Sequence, residues 1–158
     1  MQIRITHRII ATNVVLQAMG VCNNNVCIFC KSERDSIQHL FWNCNHVNKF
    51  WYNFEKVLND KCGIVFNLKF SEQLVLFGID SHIKTDDVFD LILLLAKQYI
   101  YSCRFNNSLP TVDVFLKRLK YRYEIELYNA KIRQEVNNFN TKWIFIRTYS
   151  NNRITICV

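Results

Sequence analysis

Apolar residues recur at helical spacing over most of the chain. Val47, Phe50, Trp51, Phe54 and Leu58 follow one another in steps of three and four, which predicts a helix over 45–58 with one strongly apolar face. Between 85 and 103 the apolar positions (Val88, Phe89, the run 91–96, Tyr99, Ile100) leave almost no polar face, so this helix should be central and buried, with Thr85 or Asp86 as its cap. A short helix over 71–77 has Ser71 as its cap and Gly78 as its stop. Residues 4–17 fit either one helix or two pieces broken at Thr12-Asn13, with Gly20 as a stop. Pro110 leads into a long helix over 112–136. After Trp143 the pattern changes to alternation (Ile144, Ile146, Ile154, Ile156 around Asn151-Asn152), the signature of a hairpin.

Composition narrows the class. The chain has 158 residues, enough for one domain with a core that needs no disulfide staples. Half of the residues are hydrophobic and 21% are charged, which excludes a disordered tail. Gly and Pro are scarce, and Asn clusters stand where they would normally punctuate the chain. The net charge of +7 is unevenly distributed: +3 over 1–62, −2 over 63–113 and +6 over 114–158. This permits an anionic partner without naming one, because Asn, Ile, Lys, Phe and Tyr are all abundant and all have AT-rich codons. The seven Cys and a charged start, MQIRITHRII, imply free thiols or metal ligands in a reducing compartment, the cytoplasm or nucleus. The run 91–96 is too short to span a bilayer, and no membrane partner is expected.

The chemistry concentrates in one stretch. Cys27-Ile-Phe-Cys30 is followed after eight residues by His39-Leu-Phe-Trp-Asn-Cys44. A Cys-x2-Cys knuckle presents two sulfurs to one ion, and His39 and Cys44 complete a tetrahedron. Three thiolates and an imidazole favour one zinc ion, and four filled positions make it structural. Ser36, or Asp35, would cap the short helix that carries His39. Cys22 in place of Cys27, and His46 in place of Cys44, are the alternative ligands. Cys62, Cys103 and Cys157 are isolated and read as buried thiols.

With those residues in view, the string from Arg8 through Trp51 resembles the zinc-binding domain found C-terminal to the reverse transcriptase of non-LTR (LINE-type) retrotransposons. The matching features are Thr12-Asn13, Leu16, Met19-Gly20, the Cys27/Cys30 knuckle, Glu33, Ile37-x-His39-Leu40-Phe41-Trp42-x-Cys44 and Phe50-Trp51. Leu76-Phe77-Gly78, the 93–97 run, Tyr99-Ile100-Tyr101, Phe115-Leu116, Leu119-Lys120, Arg122-Tyr123 and Glu126 are similar to that family's C-terminal extension. The resemblance covers about 3–143 and implies a zinc-binding domain over 1–62, a helical extension packed on it over 63–143, and a divergent tail over 144–158. The fold implied is mainly α. The function implied is a non-catalytic accessory module that holds RNA or single-stranded DNA and contacts the polymerase portion of the same polyprotein. With neither polymerase nor endonuclease residues, the chain reads as a fragment or relic of such a polyprotein.

No catalytic constellation or small-molecule site stands out. Asp86-Asp87 fits a helix start rather than a two-metal site. On a helix over 112–136, Val112, Leu116, Leu119, Tyr123, Leu127 and Ala130 form one stripe for packing. Val114, Tyr121, Ile125, Tyr128 and Ile132 form a second stripe opposite. Arg118, Arg122 and Arg133 lie to one side of it, and Lys117, Lys120 and Lys131 to the other. Lys117, Arg118, Lys120, Arg122 and Arg133 are therefore candidate phosphate contacts, with Tyr121 and Tyr128 as base-stacking platforms. Alternatively the second stripe docks protein or is covered by the tail. Lys31, Arg34 and Lys49 add charge around the knuckle, where Phe29 is either a base contact or core.

Overall fold

The computed structural model describes residues 1–61, 69–78, 87–143, 147–150 and 153–156. Seven α-helices carry the described fold: α1 (Gln2–Thr6), α2 (Asn13–Ala18), α3 (Asn45–Lys61), α4 (Glu72–Phe77), α5 (Asp87–Phe105), α6 (Val112–Ile132) and α7 (Val136–Lys142). A π turn, His39–Asn43, precedes α3. Strands β1 (Arg147–Ser150) and β2 (Arg153–Ile156) pair antiparallel, with Arg147 opposite Ile156. Thr85, Asp86, Cys62, Cys157, Ile144 and Ile146 lie outside the described residues.

Local chemistry accounts for most boundaries. The N-terminal segment is two helices, because Thr12 turns extended and its hydroxyl accepts from the Val15 amide, starting α2. Gly20 then takes φ +71°, a conformation that other residues resist. Ser71 caps α4 by accepting from Leu74 N, and Gly78 ends it at φ +87°. The long helix expected over 112–136 stops earlier. Arg133 caps α6, Gln134 takes φ +59°, and the chain restarts as α7. That break lets Phe139 and Trp143 fold back on Tyr123 at ring distances of 5.0 and 5.3 Å.

The core is an aromatic stack shared by α3, α5 and α6. Phe50 of α3 meets Tyr99 of α5 at 5.9 Å and Phe115 of α6 at 5.7 Å. Phe54, Phe70 and Phe89 continue the stack. The packing stripe of α6 is buried as expected at Val112, Leu116, Leu119, Tyr123 and Ala130, with Phe115 added and Leu127 half-buried.

A lysine is buried within this frame. Lys97 of α5 is 2% exposed, and its ammonium donates to Gln2 Oε1 of α1. Burial lowers its pKa to about 8, against the opposing pull of the Asp90 carboxylate. The unfolded chain holds that proton up to about 10.5. Between these values the unfolded state binds more protons, so folding should strengthen as pH rises from about 8 to 10.5. The full effect is at most about 3 kcal/mol. Lys97→Met should raise the urea midpoint at pH 7 and remove this part of the pH dependence, which denaturation at pH 7, 8.5 and 10 would measure.

Candidate metal centre

The knuckle is a small loop closed by backbone hydrogen bonds. Cys27 N donates to Glu33 O at 2.7 Å, Asp35 N to Asn25 O at 2.7 Å, and Val26 bridges Arg34. Lys31 N donates to Cys27 O at 2.9 Å, and Lys31 turns the corner at φ +55°. Ser36 Oγ accepts from His39 N at 3.1 Å, so Ser36, not Asp35, starts the turn that carries His39. In an α-helix, residues five apart point about 140° away from each other. The π turn replaces that winding: Cys44 N donates to His39 O at 2.9 Å, a five-residue step that brings the imidazole and the Cys44 sulfur toward one side. Trp51 Nε1 then donates to Phe41 O at 2.8 Å, locking the π turn onto α3.

Four donor atoms converge as a result. Those of Cys27, Cys30, His39 and Cys44 all lie within 4.8 Å of one another. Cys27 Sγ is 4.0 Å from Cys44 Sγ, and Cys30 Sγ is 3.3 Å from His39 Nε2. A tetrahedron with bonds of about 2.3 Å to sulfur and about 2.0–2.1 Å to nitrogen has edges of about 3.6–3.8 Å. The set therefore fits a zinc-like ion held by three sulfurs and the His39 Nε2. Cys22 is not among these donors: its thiol donates to Asn13 O and Asn24 O. His46 is not among them either.

The four groups also shift one another's titration. The hydrogen bond with Cys44, and then burial, push the Cys27 thiol up. That same hydrogen bond holds Cys44 down, against its burial. Burial would raise Cys30 and lower His39. For Cys30 the hydrogen bonds from Ser32, Glu33 and His39 prevail and lower it, and for His39 its contacts with Cys30 and Cys27 prevail and raise it. Behind the imidazole, Nδ1 is buried and lies 3.3 Å from Glu33 Oε2 without an aligned hydrogen bond. A carboxylate there is the usual orienting partner of a metal-bound histidine.

These four residues form a Cys3His cluster that could hold a metal ion. Residues 1–51 match the family described as zinc-binding in reverse transcriptase (zf-RVT), in agreement with the resemblance carried by the knuckle. No curated protein and no solved structure matches the chain. Among the described residues no helix is long and apolar enough to cross a membrane.

The remaining candidate residues divide by how far the fold engages them. Phe29 is buried, so it is core and not a base contact. Lys31, Arg34 and Lys49 are exposed around the centre. Arg118 lies over the Tyr99 ring at 4.9 Å and donates to Ser102 Oγ at 3.2 Å. Arg122 pairs with Glu126 at 2.7 Å, and Glu126 also accepts from Lys142 and Trp143. Lys117, Lys120, Lys131 and Arg133 are exposed and make no ion pair with a described residue. The second stripe of α6 is exposed, with Tyr121 and Tyr128 at 67% and 65%.

Sequence reasoning missed one group entirely. Asp35 is fully buried, and its Oδ2 accepts from Asn13 N at 2.7 Å and from Arg104 Nε at 3.2 Å, with Arg104 Nη2 in ion-pair range at 3.1 Å. Arg104 Nη2 also donates to Asn13 Oδ1. This network ties the chain between knuckle and π turn to α5. Nothing in the spacing of residues 35 and 104 announces it.

Proposed function

We propose that the chain is a non-catalytic, zinc-stapled accessory module of a retrotransposon reverse transcriptase, and that it holds single-stranded RNA or DNA. One zinc ion on Cys27, Cys30, His39 and Cys44 would be structural, since all four positions are taken by protein donors. The observation that carries the nucleic-acid reading is the exposed face of α6. Tyr121 and Tyr128 stand two turns apart with Lys117, Lys120 and Lys131 beside them, Glu124 being the acidic residue among these. Flat rings beside free cations suit bases and phosphates.

The zinc-loaded chain should bind a labelled single-stranded RNA, with affinity falling along a straight log–log line in salt. The slope reports about 0.7 per phosphate neutralised on a single strand. Fluorescence anisotropy at several salt concentrations measures this, and absence of binding at low salt would reject the reading. A second reading, docking to the polymerase portion, is favoured by one observation: Val114, Ile125 and Ile132 share that exposed face.

A further inference from the structure

A second surface lies closer to the metal. Between α3 and the segment Leu109 to Asp113 runs a cleft of about 490 Å3, within the range of ligand clefts. Its α3 wall presents His46, Lys49, Asn53 and Lys56. On a helix, Lys49 and Lys56 share one face about 10.5 Å apart along the axis. Tyr52 lies between them in sequence, about 60° round from Lys49, and is 66% exposed. Neither lysine forms an ion pair with a described residue. On α6, Arg118 and Arg122 are engaged by Tyr99, Ser102 and Glu126, while Lys117, Lys120 and Lys131 likewise form no ion pair with a described residue. Glu55, next to Lys56, turns its carboxylate to the Phe70 amide, from which it accepts at 2.8 Å. Asp113 is the acidic residue in the cleft, on the opposite wall.

We infer that this cleft and the adjoining face of α3 are a binding track for a nucleic-acid strand, with Lys49 and Lys56 on phosphates and Tyr52 stacked on a base. The inference deepens the accessory-module reading and rests on it. An exposed ring between two free cations, among amide side chains (Asn45, Asn48, Asn53), has the chemistry of a single-strand platform. An acidic peptide would use the lysines but not the ring. The track is fixed to the metal centre, because α3 begins at Asn45, directly after the ligand Cys44.

The test uses the zinc-loaded full chain and a labelled twelve-nucleotide oligo(U). Lys49→Glu with Lys56→Glu should weaken binding at least tenfold at low salt and lower the salt slope by about 1.4, the loss of two phosphates. Tyr52→Ala should weaken binding about five- to tenfold with the slope unchanged. All three positions are on the surface, so an unchanged thermal midpoint confirms the variants are folded. Wild-type binding that survives the Lys49/Lys56 reversal but is lost in Lys117→Glu with Lys120→Glu overturns the inference and leaves the accessory reading standing. Equal displacement by polyglutamate, with no effect of Tyr52→Ala, also overturns it, in favour of an acidic protein partner. No binding by the wild type rejects both.

Discussion

Replacing Cys30 by Ser is expected to release the metal and unfold at least residues 20–60. Three remaining donors cannot close the tetrahedron that the 4.0 and 3.3 Å edges define. A structural zinc contributes about 10–16 kcal/mol of apparent binding energy at neutral pH. The whole stability of a domain is about 5–15 kcal/mol. Losing the ion should therefore cost more than the fold can spare around the knuckle, whose loop hydrogen bonds contribute only about 1 kcal/mol each. The measurements are zinc content by a colorimetric chelator and helicity by circular dichroism. A variant with the wild-type metal content, spectrum and thermal midpoint would reject a structural zinc at these four residues.

Arg104→Leu is expected to cost about 3–5 kcal/mol, the usual penalty for stripping one partner from a buried ion pair. Asp35 would then keep a single hydrogen bond, from Asn13 N, while its Oδ1 is already without a partner. Asp35→Asn combined with Arg104→Leu should recover more than half of that loss, because the neutral amide can still accept from Asn13 without holding a bare charge. Urea unfolding of the two variants with zinc present measures both numbers. A cost below about 1 kcal/mol for Arg104→Leu would mean that water reaches the carboxylate and that the pair does not join the two segments.

What the sequence displayed was whatever is local. The four donor residues fall within eighteen positions, so their spacing alone marks the centre. Ser71 and Gly78 bracket α4 because a hydroxyl cap and a positive φ are properties of single residues. The apolar faces of α3 and α5 follow from periodicity, and the tertiary structure buries them. The end of α6 was hidden, since Arg133-Gln134-Glu135 holds neither Gly nor Pro and a glutamine takes the left-handed turn. The π turn was hidden too, because His39–Asn43 has an ordinary helical composition and only the backbone hydrogen bond at Cys44 distinguishes the winding. The Asp35–Arg104 pair spans 69 residues, and the engagement of Arg118 by Tyr99 depends on helix packing that no pattern encodes.

The shared ring stack changes how shortened forms of such a sequence should be judged. The family match ends at residue 51, yet Phe50 leans on Tyr99 and Phe115, and Asp35 on Arg104. A chain truncated after α3 would keep all four clustered donors, Cys27, Cys30, His39 and Cys44. It would nevertheless present an unneutralised carboxylate and an open aromatic ledge to water. Presence of the metal motif alone is thus a poor gauge of whether such a chain folds soundly. Arg104 and Phe115 are the more telling positions, and a frameshift between 62 and 104 would remove them while leaving the metal motif intact.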